Sequence, residues 1–463
     1  MFSVRRRGSA RLAAAIVASG LVAAGVIAGA GPAAADDATP SPGGATATLD
    51  GLKIFDQAVI TNDGGEQKVG AGLFEMTVDG GGTLQTYCID IHNPTQSKAQ
   101  YQEKPWSATS LHNNADAGKI RWILQNSYPQ VNDLSKLAAA ADSGALTEKT
   151  AAAGTQVAIW RFSDQAHVDA VDPAAEKLAD YLQQKAQDLE EPKASLTLDP
   201  PAVSGKSGDR LGPITVHTDA ANVTVSPDPA SEASGVKVVD KAGKAVTSVT
   251  NGGELFFDVP SGAPDGSTSL MAQATTTVPV GRAFASQTKS QTQILAGSSE
   301  STVSATATAN WAKKGAIPAL SAEKNCAKGG VDVTASNEGD EPFTFELAGI
   351  KHTIDAGKTE TVTVPVKEDQ SYDLTITGPN GFEKNFSGVL DCKTAETPGT
   401  PSSEPSPATA GGSSEGSTGG GDLAETGSSN ATPLIAGVAI GLLVLGGATV
   451  FFLRKRKANS ADE

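Results

Sequence analysis

Apolar and polar positions alternate along two neighbouring stretches, Leu73-Phe74-Glu75-Met76-Thr77-Val78 and Thr83-Leu84-Gln85-Thr86-Tyr87-Cys88-Ile89-Asp90-Ile91. A period of two predicts strands, and Asp79-Gly80-Gly81-Gly82 between them supplies the turn of a hairpin. In the second arm Tyr87, Ile89 and Ile91 fall on one face and Thr86, Cys88 and Asp90 on the other, which predicts the Cys88 sulfur off the apolar face. A further strand candidate precedes the hairpin around Leu52 to Ile60. The period then lengthens. Helices are predicted at Ala115 to Ser127, at Thr147 to Ser163 with Thr147 as N-cap, and from Pro173 to about Leu189, where Pro192 stops the pattern.

From about residue 194 the helical spacing disappears. Short β-type runs recur roughly every ten residues: Ser195 to Leu198, Ile214 to Val216, Val223 to Val225, Val236 to Val239 and Glu254 to Val259. The Thr- and Gln-rich run Ser267 to Leu295 is expected to supply the last strands of this module. A second β series contains Val331 to Val333, Phe343 to Leu347, Thr361 to Val364 and Tyr372 to Ile376. The pattern predicts a multidomain chain: an α+β domain over 45–192, then two all-β, immunoglobulin-like sandwich modules over 194–312 and 318–393.

The two ends carry different signals. Residues 1–35 place Arg5-Arg6-Arg7 before an apolar run and Ala33-Ala34-Ala35, the layout of a secretory signal peptide cleaved before Asp36. Residues 394–422 are Pro, Ser, Thr, Gly and Glu without apolar pattern, the composition of a disordered or semi-extended linker. Residues 423–463 hold Leu423-Ala424-Glu425-Thr426-Gly427, an apolar stretch from Pro433 to Leu453 long enough to span a bilayer, and the basic tail Arg454-Lys455-Arg456-Lys457. This ending resembles a sortase sorting signal of the LAxTG type associated with actinobacteria. The resemblance implies cleavage between Thr426 and Gly427, transfer of Thr426 to peptidoglycan, and only transient residence of the C-terminal transmembrane helix in the membrane. A plain single-pass membrane protein is the alternative.

A formal net charge of −16 argues against nucleic acid and anionic membrane surfaces as partners. Cysteine usage changes the picture more. Of three cysteines, Cys326 and Cys392 bracket the second β module and are expected to form a disulfide, as an oxidising compartment allows. Cys88 is left over. On the third predicted strand's far side in sequence, Gln156 shares a helical face with Ile159 and Trp160, so its carboxamide points where the helix is apolar, and a buried carboxamide needs partners.

The two segments Tyr87-Cys88-Ile89 and Thr155-Gln156-Val157-Ala158-Ile159-Trp160 resemble the paired signatures of thioester domains in Gram-positive surface proteins, over roughly residues 45 to 190. Thr155 stands where that family usually has an apolar residue. The resemblance implies that Cys88 and Gln156 form an internal thioester, shielded by Tyr87 and Trp160, and that the protein is a secreted, cell-wall-anchored adhesin. Its expected partner is an amine-bearing target surface, a protein lysine or an amino-polysaccharide. No cofactor or metal is expected. The chain is not expected to be an enzyme beyond self-catalysed bond formation and a single acyl transfer.

Other readings stay open on the residues alone. The domain could be a noncovalent binding module in which Cys88 is a small hydrophobe and Gln156 a hydrogen-bonded helix residue. Cys88 could be a hydrolase nucleophile with His92, His112 or His167 as base, or it could pair between chains. Gly154 inside the predicted helix suggests close backbone approach. No Lys, Asn and acidic trio in the β modules stands out as an intramolecular isopeptide site.

Overall fold

The computed structural model describes residues 39–393, apart from Pro42 and Asp63. The signal peptide over 1–35, the linker over 394–422, the sorting residues Leu423 to Gly427 and the apolar stretch Pro433 to Leu453 therefore lie outside the described residues. Among the described residues, no helix is long and apolar enough to cross a membrane.

The first part of the chain alternates strands and helices much as the periodicity predicts. Strands β1 (Thr46–Asn62), β2 (Gly65–Val78), β3 (Thr83–Cys88) and β4 (Gln100–Lys104) come first. Helices α1 (Ala117–Gln125), α2 (Leu134–Ala141) and α3 (Glu148–Ser163) follow, then β5 (Val168–Ala170) and α4 (Pro173–Lys185). Thr147 caps α3 as expected, accepting from the Thr150 backbone N while the Thr150 hydroxyl accepts from Thr147 N, a reciprocal capping pair. Asp172 accepts from the backbone N of Ala174 and Ala175 to start α4, with Pro173 in the first turn. The β2–β3 turn runs through Gly80, Gly81 and Gly82, all at positive φ, where residues with a Cβ are strained. Helix α2 was not foreseen, because its run of alanines carries no periodic contrast.

The middle of the chain is all-β apart from one short helix. It contributes β6 (Leu196–Asp199), β7 (Ala202–Lys206), β8 (Arg210–Thr218), β9 (Val223–Pro227), β10 (Lys237–Val239), β11 (Ser248–Val249), β12 (Glu254–Asp258) and β13 (Gly266–Thr277). Then come β14 (Ala283–Ser286), β15 (Gln293–Ser298) and β16 (Glu300–Ala312). A four-stranded sheet in the order β10-β12-β8-β6 and a five-stranded sheet in the order β11-β9-β13-β16-β7 make the sandwich. Strands β13 and β16 pair along their lengths, from Gly266 opposite Trp311 to Thr277 opposite Glu300.

The tip of that long hairpin departs from the sequence reading. Strands β14 and β15 belong to the first sheet, whose order is β2-β3-β15-β14-β4-β1-β5, and β1 also pairs with β2. Six strands therefore close a ring, with β5 on the outer side of β1. The run Ser267 to Leu295 was expected to complete the sandwich; only its first part does. Pro279 and Gly281 mark a break between the two parts, but nothing in the sequence beyond them shows that the chain switches sheets there. One continuous apolar core runs through both parts, from Leu73 and Ile120 to Val225 and Trp311.

A buried ion pair holds this junction. Glu103 of β4 accepts from Arg282 Nε at 2.8 Å, and the side chains are 1% and 5% exposed. The same carboxylate accepts from the backbone N of Ala45 and of Ser195 and from the Ser195 hydroxyl. Arg282 also reaches Glu191 and the Pro192 carbonyl. The entry to β1, the exit from the first domain and the entry to β14 all meet at one carboxylate whose hydrogen bonds are satisfied.

The last module comprises β17 (Pro318–Asn325), β18 (Gly330–Asn337), β19 (Phe343–Leu347), β20 (Ile350–Ile354), β21 (Lys358–Pro365), β22 (Ser371–Thr377) and β23 (Glu383–Val389) around its own core of Val331, Val333, Phe343, Phe345 and Ile376. Cys326 and Cys392 are bridged, and Cys88 is the free cysteine. The bridged end touches the first domain: Cys326 N donates to the Ser107 carbonyl, and the Thr292 hydroxyl donates to Asp391 Oδ2 at 3.2 Å.

Candidate functional site

Cys88 ends β3, and Gln156 lies midway along α3, which packs across β1, β2 and β3. All but three residues of α3 are buried, and the three exceptions include Glu148 and Lys149 at its exposed start. Gly154 explains part of that seating. A Cβ there would stand 2.4 Å from the Ala175 carbonyl oxygen of α4. The close approach suggested by the sequence is real, and it is to α4. Arg161 fastens α3 to α4 by ion pairs to Glu176 and Asp180, and to β5 by one to Asp169.

The fold brings Cys88 and Gln156 together. Cys88 N donates to Gln156 Oε1 at 3.0 Å, and Gln156 Nε2 donates to the Cys88 carbonyl at 2.9 Å. The carboxamide is thus clamped edge to edge on the peptide groups of the residue that carries the thiol, which answers the need of a buried amide for partners. Both residues are 0% exposed, as is Tyr87, and Trp160 is 2% exposed. The Tyr87 hydroxyl donates to the Tyr128 carbonyl, and Trp160 Nε1 donates to Cys88 Sγ at 3.3 Å. The expected face assignment is corrected here. β3 ends at Cys88, and Thr86, Tyr87, Cys88, Ile89 and Asp90 are all buried, with α3 packed against the strand, so neither face of this stretch is left to solvent.

Burial pushes the Cys88 thiol well above its ordinary range, and the nearby Asp164 carboxylate pushes it the same way. Hydrogen bonds from Trp160 and from the Asp90 backbone act in the opposite direction. Asp164 itself accepts from Ile91 N at 2.9 Å, and burial raises its carboxyl to about 6. No hydrogen bond joins His92, His112 or His167 to Cys88 among the described residues; the sulfur's donors are Asp90 N and Trp160 Nε1.

Sequence reasoning missed the residues that hold the turn after Cys88. Gln293 stands opposite Cys88 in the β3–β15 ladder. Gln291, wholly buried, donates to the carbonyls of Asp90 and Asn93 and accepts from Gln293 Nε2, while Gln293 Oε1 accepts from the Thr86 hydroxyl. Ser290 and the Gln291 carbonyl bind the Tyr101 hydroxyl. The only signal in the sequence is the polar run Ser290-Gln291-Thr292-Gln293 inside an otherwise strand-like stretch.

A free thiol and a carboxamide are thus both buried, the carboxamide fixed by two reciprocal hydrogen bonds to the backbone of the residue that carries the thiol. Residues 85–188 match the family model for the thioester domain, in line with the resemblance drawn from the two motifs. Residues 318–389 match the model for the bacterial phospholipase C, C-terminal domain. Among solved structures, the chain is similar to the Bacillus anthracis TIE protein at 15% identity, covering 76% of this chain and 81% of that one with a TM-score of 0.26. It is also similar to the thioester domain of the Enterococcus faecium TIE86 protein at 16% identity, covering 60% and 98% with a TM-score of 0.27. Scores of this size add nothing to the family match. No protein of curated function matches the chain.

Proposed function

We propose that the protein is a secreted, wall-anchored adhesin that stores an acyl group as a Cys88–Gln156 thioester and spends it once on an amine of a target surface. The carrying observation is the reciprocal clamp between the Gln156 carboxamide and the Cys88 backbone. In formation, Cys88 Sγ adds to the Gln156 side-chain carbonyl carbon, the C–N bond breaks, and ammonia leaves with the thiol proton. In capture, the amine nitrogen takes the acyl carbon from sulfur, an amide forms, and a proton returns to the thiol.

Formation is slow in solution, because an amide is a poor acyl donor and a free thiol is only a few per cent ionised at neutral pH. Fixed contact between the groups supplies an effective molarity on the order of 10⁵ to 10⁸ M. The Cys88 N–H aimed at Oε1 polarises the carbonyl under attack. Tyr87 and Trp160 exclude water from the stored bond. The amine is that of a protein lysine or an amino-polysaccharide, and the LAxTG signal with its membrane helix delivers the chain to peptidoglycan.

Intact mass tests the reading. The wild-type chain is expected to be lighter by one ammonia than the mass calculated with the Cys326–Cys392 disulfide; methylamine is then expected to add at Gln156 while one titratable thiol appears at Cys88. A folded chain of full calculated mass, with Cys88 unreactive toward the Gln156 carboxamide, leaves a noncovalent binding module.

A further inference from the structure

Two N–H groups converge on a single sulfur. The indole Nε1 of Trp160 and the backbone N of Asp90 each lie 3.3 Å from Cys88 Sγ. They arrive from different elements, one from α3 and one from the turn that follows β3. A thiol is a weak acceptor, so two donors are more than a neutral sulfur calls for. A thiolate is different: it gains from every donor in a site without water.

Sulfur carries negative charge twice in the proposed cycle, as the attacking nucleophile when ammonia is expelled and as the leaving group when an amine enters. The surroundings oppose that charge. The sulfur is wholly buried, the carboxylates that act on it, Asp164 and Asp90, repel it, and no cation is among the principal influences on it. Neutral N–H donors are what the site offers for holding a negative sulfur, in the way a pair of N–H groups holds an oxyanion.

We propose, resting on the covalent-capture reading, that Trp160 is a catalytic hydrogen-bond donor: its indole N–H, with that of Asp90, stabilises the Cys88 thiolate in both formation and opening of the thioester. The shielding role assigned to the ring does not require the N–H. The spacing from Gln156 to Trp160, one turn of α3, then has a chemical reason: one helix delivers the acyl group and the donor for its leaving group together.

The test uses the full chain with Trp160→Phe, and in parallel with 3-benzothienylalanine incorporated at position 160, which keeps the bicyclic shape and replaces N–H by sulfur. Ammonia loss after refolding, methylamine addition and spontaneous hydrolysis are followed by intact mass, and the freed thiol is titrated by alkylation rate against pH. The expected result is formation and methylamine addition slowed about 10- to 100-fold, with the freed thiol ionising at higher pH than in wild type. Hydrolysis is expected to slow as well, since it has the same leaving group. Unchanged rates, or hydrolysis and aminolysis that both quicken, would reduce Trp160 to a shield and overturn the proposal. If Trp160→Phe does not fold, the benzothienyl variant decides. A wild-type chain without the mass deficit would instead overturn the capture reading itself, an outcome distinct from a wild-type thioester that ignores the indole N–H.

Discussion

Gln293 faces Cys88 directly across the β3–β15 ladder, although eight strands of the sandwich lie between them in sequence. Cys88 is therefore positioned by a strand from far downstream. A fragment of residues 39–192 lacks β14 and β15, so its ring of strands is open and the Asp90 and Asn93 carbonyls lose Gln291. That fragment is expected to show neither a cooperative unfolding transition nor the ammonia deficit. A fragment of residues 39–312 is expected to show both, by calorimetry and intact mass.

The clamp at Gln156 gives a second expectation. Gln156→Ala removes both hydrogen bonds to Cys88 and leaves a void against the packed face of α3, at a cost of about 2–4 kcal/mol. Cys88→Ala leaves the carboxamide bonds to the residue 88 backbone in place and should cost less. Denaturant unfolding distinguishes the two, and both variants should have full calculated mass. A Gln156→Ala variant as stable as Cys88→Ala would mean the clamp contributes little to the fold.

Arg282→Met is expected to be more damaging than its distance from Cys88 suggests. It strands the Glu103 carboxylate in a site 1% exposed, where breaking one side of a buried pair costs about 3–5 kcal/mol. Because Arg282 leads into β14, thioester content should fall along with stability. The double variant Glu103→Gln with Arg282→Met should recover part of the loss.

Asp391 sets a pH dependence at the contact between the last module and the first domain. Burial, and then the charge of Asp90, push its carboxyl up to about 7, against the attraction of Lys324 and with Glu368 also facing it. A carboxyl raised in the folded state favours folding while protonated, and that contribution is lost as pH climbs from its ordinary 3.8 through about 7. Asp391→Asn keeps an acceptor for Thr292 and removes the ionisation. Its stability should fall less steeply over that interval than wild type, the remaining slope being the sum over other shifted groups such as Asp164, raised to about 6, Glu323, raised by burial, and His92, lowered by burial. Parallel pH profiles for the two proteins would show that Asp391 does not titrate in this range.

Local chemistry made much of this legible in advance. The capping of α3 by Thr147, the Asp172-Pro173 start of α4 and the glycine turn before β3 are short-range features that side-chain types announce. So are the two motifs, and Gln156 on the same helical face as Trp160 follows from the helical repeat alone. What stayed hidden depends on pairing partners. Strand β15 reads like any sandwich strand, because hydrogen-bond partners leave no mark on alternation. The burial of both faces of Thr86 to Asp90 was hidden for the same reason: α3 supplies the second cover from a distant part of the chain.

The hairpin formed by β13 and β16 has a mechanical meaning. β16 begins beside β15, in the sheet that holds Cys88, and ends at the approach to β17 and the disulfide-tied module. A surface bound at Gln156 and a pull from the C-terminal side would place tension along the axis of β16. Its antiparallel ladder with β13 and its parallel ladder with β7 would then be sheared, so that many hydrogen bonds carry the load at once. On the proposed covalent-capture reading, a bond at Gln156 is of use under flow only if the chain behind it does not unravel, and the insertion of β14 and β15, which lie between the sandwich's two longest strands, into the sheet of Cys88 ties the two parts together.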